Sequence, residues 1–328
     1  MMNNFAKLAL DNGGTIHPLI IPSELTNGLG IMNPSIFIHQ NKILVNLRSV
    51  NYTFYHSEKK LFQHQWGPLT YVHPENDMHL RTDNYYLELD ENFNITRYNK
   101  VDTSKFDTYE PQWEFIGLED ARIFSWNDKL YLSGVRRDLD TIGTGRMELC
   151  EIEVSDNSVK EVSRFRIPPP KDPNSYCEKN WMPIIDKPYH YVKWGNPTEV
   201  VKVDPETKTS QTVSLSNPIQ LPRDLRGGSQ VIPIGDYYLA CTHEVDLFNS
   251  EVGRKDARYY HRFIIWDKSF NIINHSKEFN FMGGHVEFCV GMARYKGNLL
   301  FTFGFQDNAA YLLSVPEKVV EDFINENN

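Results

Sequence analysis

Ala121-Arg122-Ile123-Phe124-Ser125 and Leu130-Tyr131-Leu132-Ser133-Gly134, separated by Trp126-Asn127-Asp128-Lys129, read as two β-strands joined by a tight turn. β-Branched and aromatic residues fill the strands, and an Asn-Asp pair occupies the turn. The same plan recurs along the chain. Pro34–Ile38 leads across His39-Gln40-Asn41-Lys42 to Ile43–Leu47, Trp181–Ile184 to Tyr189–Val192, Gln230–Pro233 to Tyr237–Ala240, and Phe288–Ala293 to Leu299–Phe303. Each hairpin is followed by more strand-like sequence, such as Met147–Ile152 or His261–Trp266. This makes units of about 45 to 85 residues, the size of four-stranded propeller blades with unequal loops. The sequence therefore predicts an all-β chain: a five-bladed β-propeller spanning 1–328 as one domain, with blades beginning near residues 33, 120, 180, 228 and 287. A β-sandwich with Greek-key links is the competing arrangement of the same strands. Pro316 followed by Val319, Val320, Phe323 and Ile324 on one face predicts a short C-terminal helix over 316–325.

Polar residues recur at matching places in these units. Asn33, Glu119-Asp120, Lys179-Asn180, Gly227-Gly228-Ser229 and Glu287 precede the first strands. Arg48, Arg136-Arg137, Lys193-Trp194, His243-Glu244 and Gln306-Asp307 follow the second. In a propeller both positions converge on one mouth of the axial channel, so a polar pocket is expected there. Asn51 lies just beyond Arg48 and is counted with it. Strand alternation implies that only one of Glu119 and Asp120 points into the channel. Asp120 is the candidate general acid or base, with Glu119 holding substrate or Arg122. The other reading of Asp120 and Arg122 is a structural ion pair tying two blades together.

Composition bounds the rest. Lys and Arg number 34 against 43 Asp and Glu, a net charge of -9, which disfavours nucleic acid and anionic membrane surfaces as partners. No stretch approaches the roughly 18 apolar residues of a membrane helix, and the N-terminus lacks a signal-peptide pattern. The 4 cysteines form no CxxC pair and read as free thiols, so a cytoplasmic protein is expected. His243-Glu244 lacks the second histidine of a zinc helix motif, His56, His64, His73 and His79 have no ligand spacing, and no phosphate-loop or dinucleotide fingerprint occurs. No metal and no cofactor is expected.

Gly117-Leu118-Glu119-Asp120-Ala121-Arg122 resembles the Gly-x-Glu-Asp-Pro-Arg signature of glycoside hydrolase family 130, a family of five-bladed propellers, with Ala121 where Pro is usual. Leu225–Ser229, His243-Glu244, Tyr260–Phe263 and Glu287–Ala293 are similar to its transferase-like relatives, including the β-mannosyltransferase/phosphorylases of glycosyltransferase family 108. The similarity runs from about Asn33 to Pro316. It implies inverting glycosyl transfer on a mannose-like sugar with Asp120 handling the proton, by a phosphorylase or by a transferase using an activated sugar such as a sugar nucleotide. Phosphate would then be held by basic residues among Arg48, Arg136, Arg137, Lys179, Arg226 and His243. Asn33, Asn51, Arg122, Asn180, Trp194 and Asp307 complete the expected substrate-binding set, and Trp181, Trp194, Tyr52 and Trp66 are candidates for stacking on sugar rings. Two alternatives remain. An inverting hydrolase would need Glu244 or Glu287 as base, about 6.5–9.5 Å from the acid, and the Ala121 departure leaves room for a non-catalytic sugar-binding propeller.

Overall fold

The computed structural model describes residues 4–26, 30–55, 70–72, 79–249 and 255–326. The hairpins expected from sequence form. Gln40 and Asn41, and likewise Asn127 and Asp128, both take positive φ (48° and 65°; 51° and 61°). Two left-handed residues in a row make the turn whose twist matches that of the strands it joins, and Asn and Asp tolerate that region best.

Consecutive strands pair antiparallel in runs of four. The first run is Ile31–His39, Lys42–Val50, Leu80–Leu89 and Ile95–Asp102, and the second is Glu119–Trp126, Lys129–Arg136, Arg146–Val154 and Val159–Arg166. Their outer strands meet in parallel, Val101 opposite Val159 and Asp102 opposite Lys160, which joins the two runs into one sheet. Met182–Pro183, His190–Gly195, Thr198–Asp204 and Thr209–Leu215 form the third sheet. Ile232–Ile234, Tyr237–Asn249, Lys255–Trp266 and Ile272–His275 form the fourth. In the last, Glu287–Tyr295, Asn298–Phe305 and Ala309–Pro316 are completed by Thr15–Pro18 from the start of the chain. Each run is a meander without the crossover of a Greek key, so the sandwich alternative does not describe the chain.

Pairing of Thr15–Pro18 with the last strand ties the two ends of the chain together. Phe5, from a helix at Phe5–Asp11, packs edge-on against Phe323 of the C-terminal helix at Glu317–Asn325, 5.2 Å between ring centroids. The C-terminal helix buries Val320, Phe323 and Ile324, much as its periodicity implied. Sequence reading found only that helix. The short ones at Phe5–Asp11 and Ser23–Thr26 carry too few periodic positions to stand out.

At the centre the inner strands meet on one side chain. Fully buried Gln230 donates from Nε2 to Ser35 Oγ (3.0 Å), the Ile36 carbonyl (2.9 Å) and the Ile123 carbonyl (2.7 Å), and accepts from the Met292 amide at 3.1 Å. It thus joins the first, second and last runs from a position just ahead of the fourth. The approach is close enough that a Cβ on Gly291 would lie 2.4 Å from the Ile36 nitrogen, so only glycine fits. Gln230→Leu keeps the volume but strands the Met292 amide. Its expected cost is about 1–3 kcal/mol of stability, read as a lower denaturant midpoint, and an unchanged midpoint would show that the axis does not depend on this residue.

Candidate functional site

At one end of this axis lies a cavity of about 130 Å3 lined almost wholly by polar side chains. Four of its residues share a backbone feature: Asn33, Asp120, Asn180 and Asp307 all have positive φ, at 45°, 50°, 61° and 48°. Such conformations are costly for residues with a Cβ, least so for Asn and Asp, and they gather where side chains must be aimed. Asn33 sits at a register shift between Met32 and Ser35, so the inner strand is kinked as it enters the cavity.

The left-handed turn at Asp120 also corrects an expectation. A regular pleat would send Glu119 and Asp120 to opposite faces, yet both line the cavity. Arg48 lies between them, its Nη1 2.9 Å from Asp120 Oδ1 and its Nη2 3.5 Å from Glu119 Oε2. The remaining guanidinium donors go to Tyr52 Oη (2.7 Å) and Thr82 Oγ1 (3.0 Å). Asn33 Nδ2 donates to the same Asp120 oxygen at 2.8 Å.

These contacts separate three carboxyl groups. Burial alone would raise Asp120, but Arg48, the Asn33 hydrogen bond, Arg122 and Lys179 outweigh it and hold the group below its ordinary value. Glu119 goes the other way: burial lifts it, Arg48 only partly offsets this, and Asp120 adds repulsion. Burial likewise lifts Asp307; Arg48 opposes, but Asp120 and Glu119 repel, and the group is pushed up to about 6. His243 is neutral, driven far below its ordinary value by burial and by His261 and Arg226. Its Nδ1 donates to the Gly227 carbonyl at 2.8 Å, and its ring stacks on Tyr259 at 5.4 Å and 8°.

The Asp307 environment sets a pH dependence. A carboxyl whose folded value is raised binds more protons folded than unfolded, so stability falls as pH rises from its ordinary 3.8 through about 6. Asp307→Asn, which suits the positive φ, removes that loss. The variant is expected to melt above the parent at pH 8 and alongside it at pH 4; an equal offset at both values would contradict the burial argument.

Lys179 and Arg226 complete the polar wall, and among the described residues neither side chain has a carboxylate or hydrogen-bond partner. In a chain of net charge -9, two such cations facing one cavity are suited to an anion.

The structure thus brings together Asn33, Arg48, Glu119, Asp120, Lys179, Asn180, Arg226, His243 and Asp307. It places the other candidates elsewhere. Arg122 stands behind the wall, donating to the Gly228 carbonyl (2.8 Å) and the Asp120 carbonyl (2.7 Å), with its guanidinium over Phe288. Arg136 is buried between the first two runs against Asp107, Asp138 and Glu148, at 3.1, 3.2 and 3.1 Å, facing a separate cavity of about 330 Å3. Its guanidinium is already neutralised, so Arg136 does not join the anion-facing group. Glu244 was expected at a turn, but its strand continues to Asn249; the pleat turns Glu244 away from His243 and onto Arg262 at 2.7 Å. Glu287 accepts the amides of Phe281, Met282 and Gly284 at 2.6, 2.9 and 2.7 Å. Asn51 bridges the His79 carbonyl and the Arg81 amide, and Trp194 donates to the Asn196 carbonyl. Trp181 is a core residue against Tyr191, whereas Trp66, His56, His64 and His73 lie outside the described residues.

Phe115, Tyr259, Val286 and Phe288 also line the cavity and were not anticipated. Alternation from an inward Glu287 would turn Phe288 away from the cavity, and Phe115 sits in a two-residue strand with no pattern to mark it. Among the described residues, no group of three or more His, Cys, Asp or Glu is placed to hold a metal ion, and no helix is long and apolar enough to cross a membrane.

No protein-family model matches the sequence, and no curated protein matches it. Solved structures do match by shape. A β-1,2-mannobiose phosphorylase from Listeria innocua, in complex with β-1,2-mannobiose, is 12% identical with a TM-score of 0.55, covering 90% of this chain and 92% of that one. A mannose phosphorylase from Leishmania mexicana, in complex with phosphate ion, is 12% identical with a TM-score of 0.54, covering 96% and 93%. A structure from the GH130 family, described with glycoside hydrolases that target β-1,2-mannosidic linkages in Candida mannan, is 14% identical with a TM-score of 0.59, covering 88% and 85%. At these identities the likeness is one of fold: the chain shares the propeller architecture of GH130 proteins.

Proposed function

We propose that the chain is a single five-bladed propeller domain and a carbohydrate-active enzyme, transferring a mannose-like sugar with inversion in the axial cavity. The five four-strand runs would be its blades, two of them joined at their outer edges. The observation that carries the reading is the wall of the cavity. It sets an ionised Asp120 beside Glu119 and Arg48, and two cations, Lys179 and Arg226, without carboxylate partners among the described residues.

Glycosyl transfer needs a group that exchanges a proton with the bridging oxygen and a partner that meets the anomeric carbon on the opposite face. Asp120 is assigned the first role. Because Arg48 and Asn33 keep it ionised, the resting protein is set to accept a proton from an acceptor hydroxyl. The acceptor hydroxyl loses its proton to Asp120 as its oxygen bonds to the anomeric carbon. The bond from that carbon to a leaving phosphate breaks, and Lys179 and Arg226 take the departing charge. In reverse the same groups perform phosphorolysis, with Asp120 returning the proton. Glu119, Asn33, Asn180 and Asp307 are assigned to sugar hydroxyls, with His243 and Tyr259 as a flat wall. The hydrolytic alternative is less supported, because Glu244 and Glu287 are engaged by Arg262 and by backbone amides.

The test is a donor panel: β-1,2-mannobiose with and without phosphate, mannose 1-phosphate with mannose, and a sugar nucleotide with mannose. Phosphate-dependent interconversion of disaccharide and sugar phosphate is expected. Phosphate-independent release of mannose would replace this reading with hydrolysis, turnover of only the nucleotide donor would replace it with a nucleotide-dependent transferase, and no turnover with retained sugar binding would leave a binding propeller.

A further inference from the structure

At about 130 Å3 the cavity has no room for a second sugar ring beside the first and the anion, so the rest of any oligosaccharide must lie beyond its lining. From one residue of the cavity wall, Phe115, two further side chains follow in a row, Arg137 and Tyr176. The Arg137 guanidinium lies 5.9 Å from the centroid of the Phe115 ring and 5.3 Å from that of Tyr176. Arg137 is fixed in that position by donating from Nε to the Gly143 carbonyl at 3.0 Å and from Nη2 to Tyr176 Oη at 2.6 Å. Among the described residues it has no carboxylate partner, yet it is close enough to lower Glu119.

The backbone beneath is braced. The Gly145 amide donates to the Tyr176 carbonyl at 3.0 Å and the Glu178 amide to the Gly145 carbonyl at 2.9 Å, so the loops carrying Arg137 and Tyr176 are laced together. A Cβ on Gly143 would lie 2.4 Å from the Trp113 ring, so a third aromatic supports the carbonyl that holds Arg137. Lys179 of the cavity follows Tyr176 by three residues on the same segment. Tyr176 holds Arg137 yet is itself 53% exposed.

We propose that Phe115, Arg137 and Tyr176 form a second sugar subsite, which takes the ring next to the one in the cavity and so selects an oligosaccharide over a monosaccharide. A pyranose offers an apolar face of C–H groups and a rim of hydroxyls. Tyr176 supplies the flat surface for the first, and Arg137, its orientation already set and with Nη1 not engaged by protein among the described residues, supplies a donor for the second. This rests on the carbohydrate reading of the cavity.

The experiment is calorimetric titration of the protein with D-mannose and with β-1,2-mannobiose, in the parent, Tyr176→Ala and Tyr176→Phe. The parent is expected to bind the disaccharide more tightly than mannose. Tyr176→Ala should weaken the disaccharide about three- to tenfold, the range of an aromatic contact, and leave mannose unchanged; Tyr176→Phe, which keeps the ring, should restore most of the loss. Equal disaccharide affinity in parent and Tyr176→Ala would overturn the subsite while leaving the cavity reading intact. Equal weakening of both sugars would overturn it as well, pointing to a general effect on the fold. If the parent bound neither sugar, the carbohydrate reading itself would fall and the subsite with it.

Discussion

Asp120→Asn is expected to fold like the parent, bind its sugar nearly as well and lose turnover by about 10²–10⁴-fold, the contribution of one positioned acid–base group. Asn is among the residues best suited to the positive φ of 50° at this position. Its amide oxygen can still accept from Asn33 Nδ2 and from Arg48 Nη1, the two donors that hold Asp120 at 2.8 and 2.9 Å. What it cannot do is exchange a proton. A purely structural Asp120 predicts the opposite pattern, a lowered melting temperature with activity reduced only in proportion to folded protein. Parent-level turnover in Asp120→Asn would remove the catalytic assignment and make Glu119, 3.5 Å from the same arginine, the group to test next.

Arg48→Met is expected to be the most damaging single change for stability near the cavity. Arg48 is buried, and Glu119 and Asp120 depend on it for neutralisation. Removing one partner of a buried pair costs about 3–5 kcal/mol, because the other charge is left uncompensated. The loss should depend on pH. Arg48 lowers Glu119, Asp120 and Asp307 alike, so without it all three bind protons more readily in the folded state. Carboxyls with raised folded values favour the folded state at low pH and lose that advantage as pH rises. The gap between variant and parent is therefore expected to be smaller near pH 4 than at pH 7–8. Denaturant titrations at the two pH values check this, and a gap independent of pH would mean that Arg48 acts by packing alone.

The strands were legible in the sequence because local chemistry dictates them. The Asn127-Asp128 turn forms as its residue types imply, the recurrent polar positions placed eight candidates around one cavity, and the family resemblance added Arg226. Errors came where a regular pleat was assumed or a strand end misjudged. The positive φ of Asp120 turns Glu119 and Asp120 to the same cavity, and the continuation of Tyr237–Asn249 turns Glu244 away from it. Arg136 illustrates a different limit: Asp138 is two residues away, but its partners Asp107 and Glu148 come from separate segments, and nothing local marks that they meet it. The same holds for the axial knot at Gln230, whose four partners span the chain from Ser35 to Met292.

The proposed mechanism requires one cavity to hold both the sugar and the anion, with Asp120 at the glycosidic oxygen and the anion on the opposite face of the anomeric carbon. A crystal structure of the Asp120→Asn protein soaked with β-1,2-mannobiose and phosphate tests it most directly. The expected result is one mannose ring in the cavity against Glu119 and Asn180, the bridging oxygen within hydrogen-bond reach of residue 120, and phosphate held by Lys179 and Arg226. Sugar bound at the cavity beside Arg136, or phosphate held apart from Lys179 and Arg226, would contradict it.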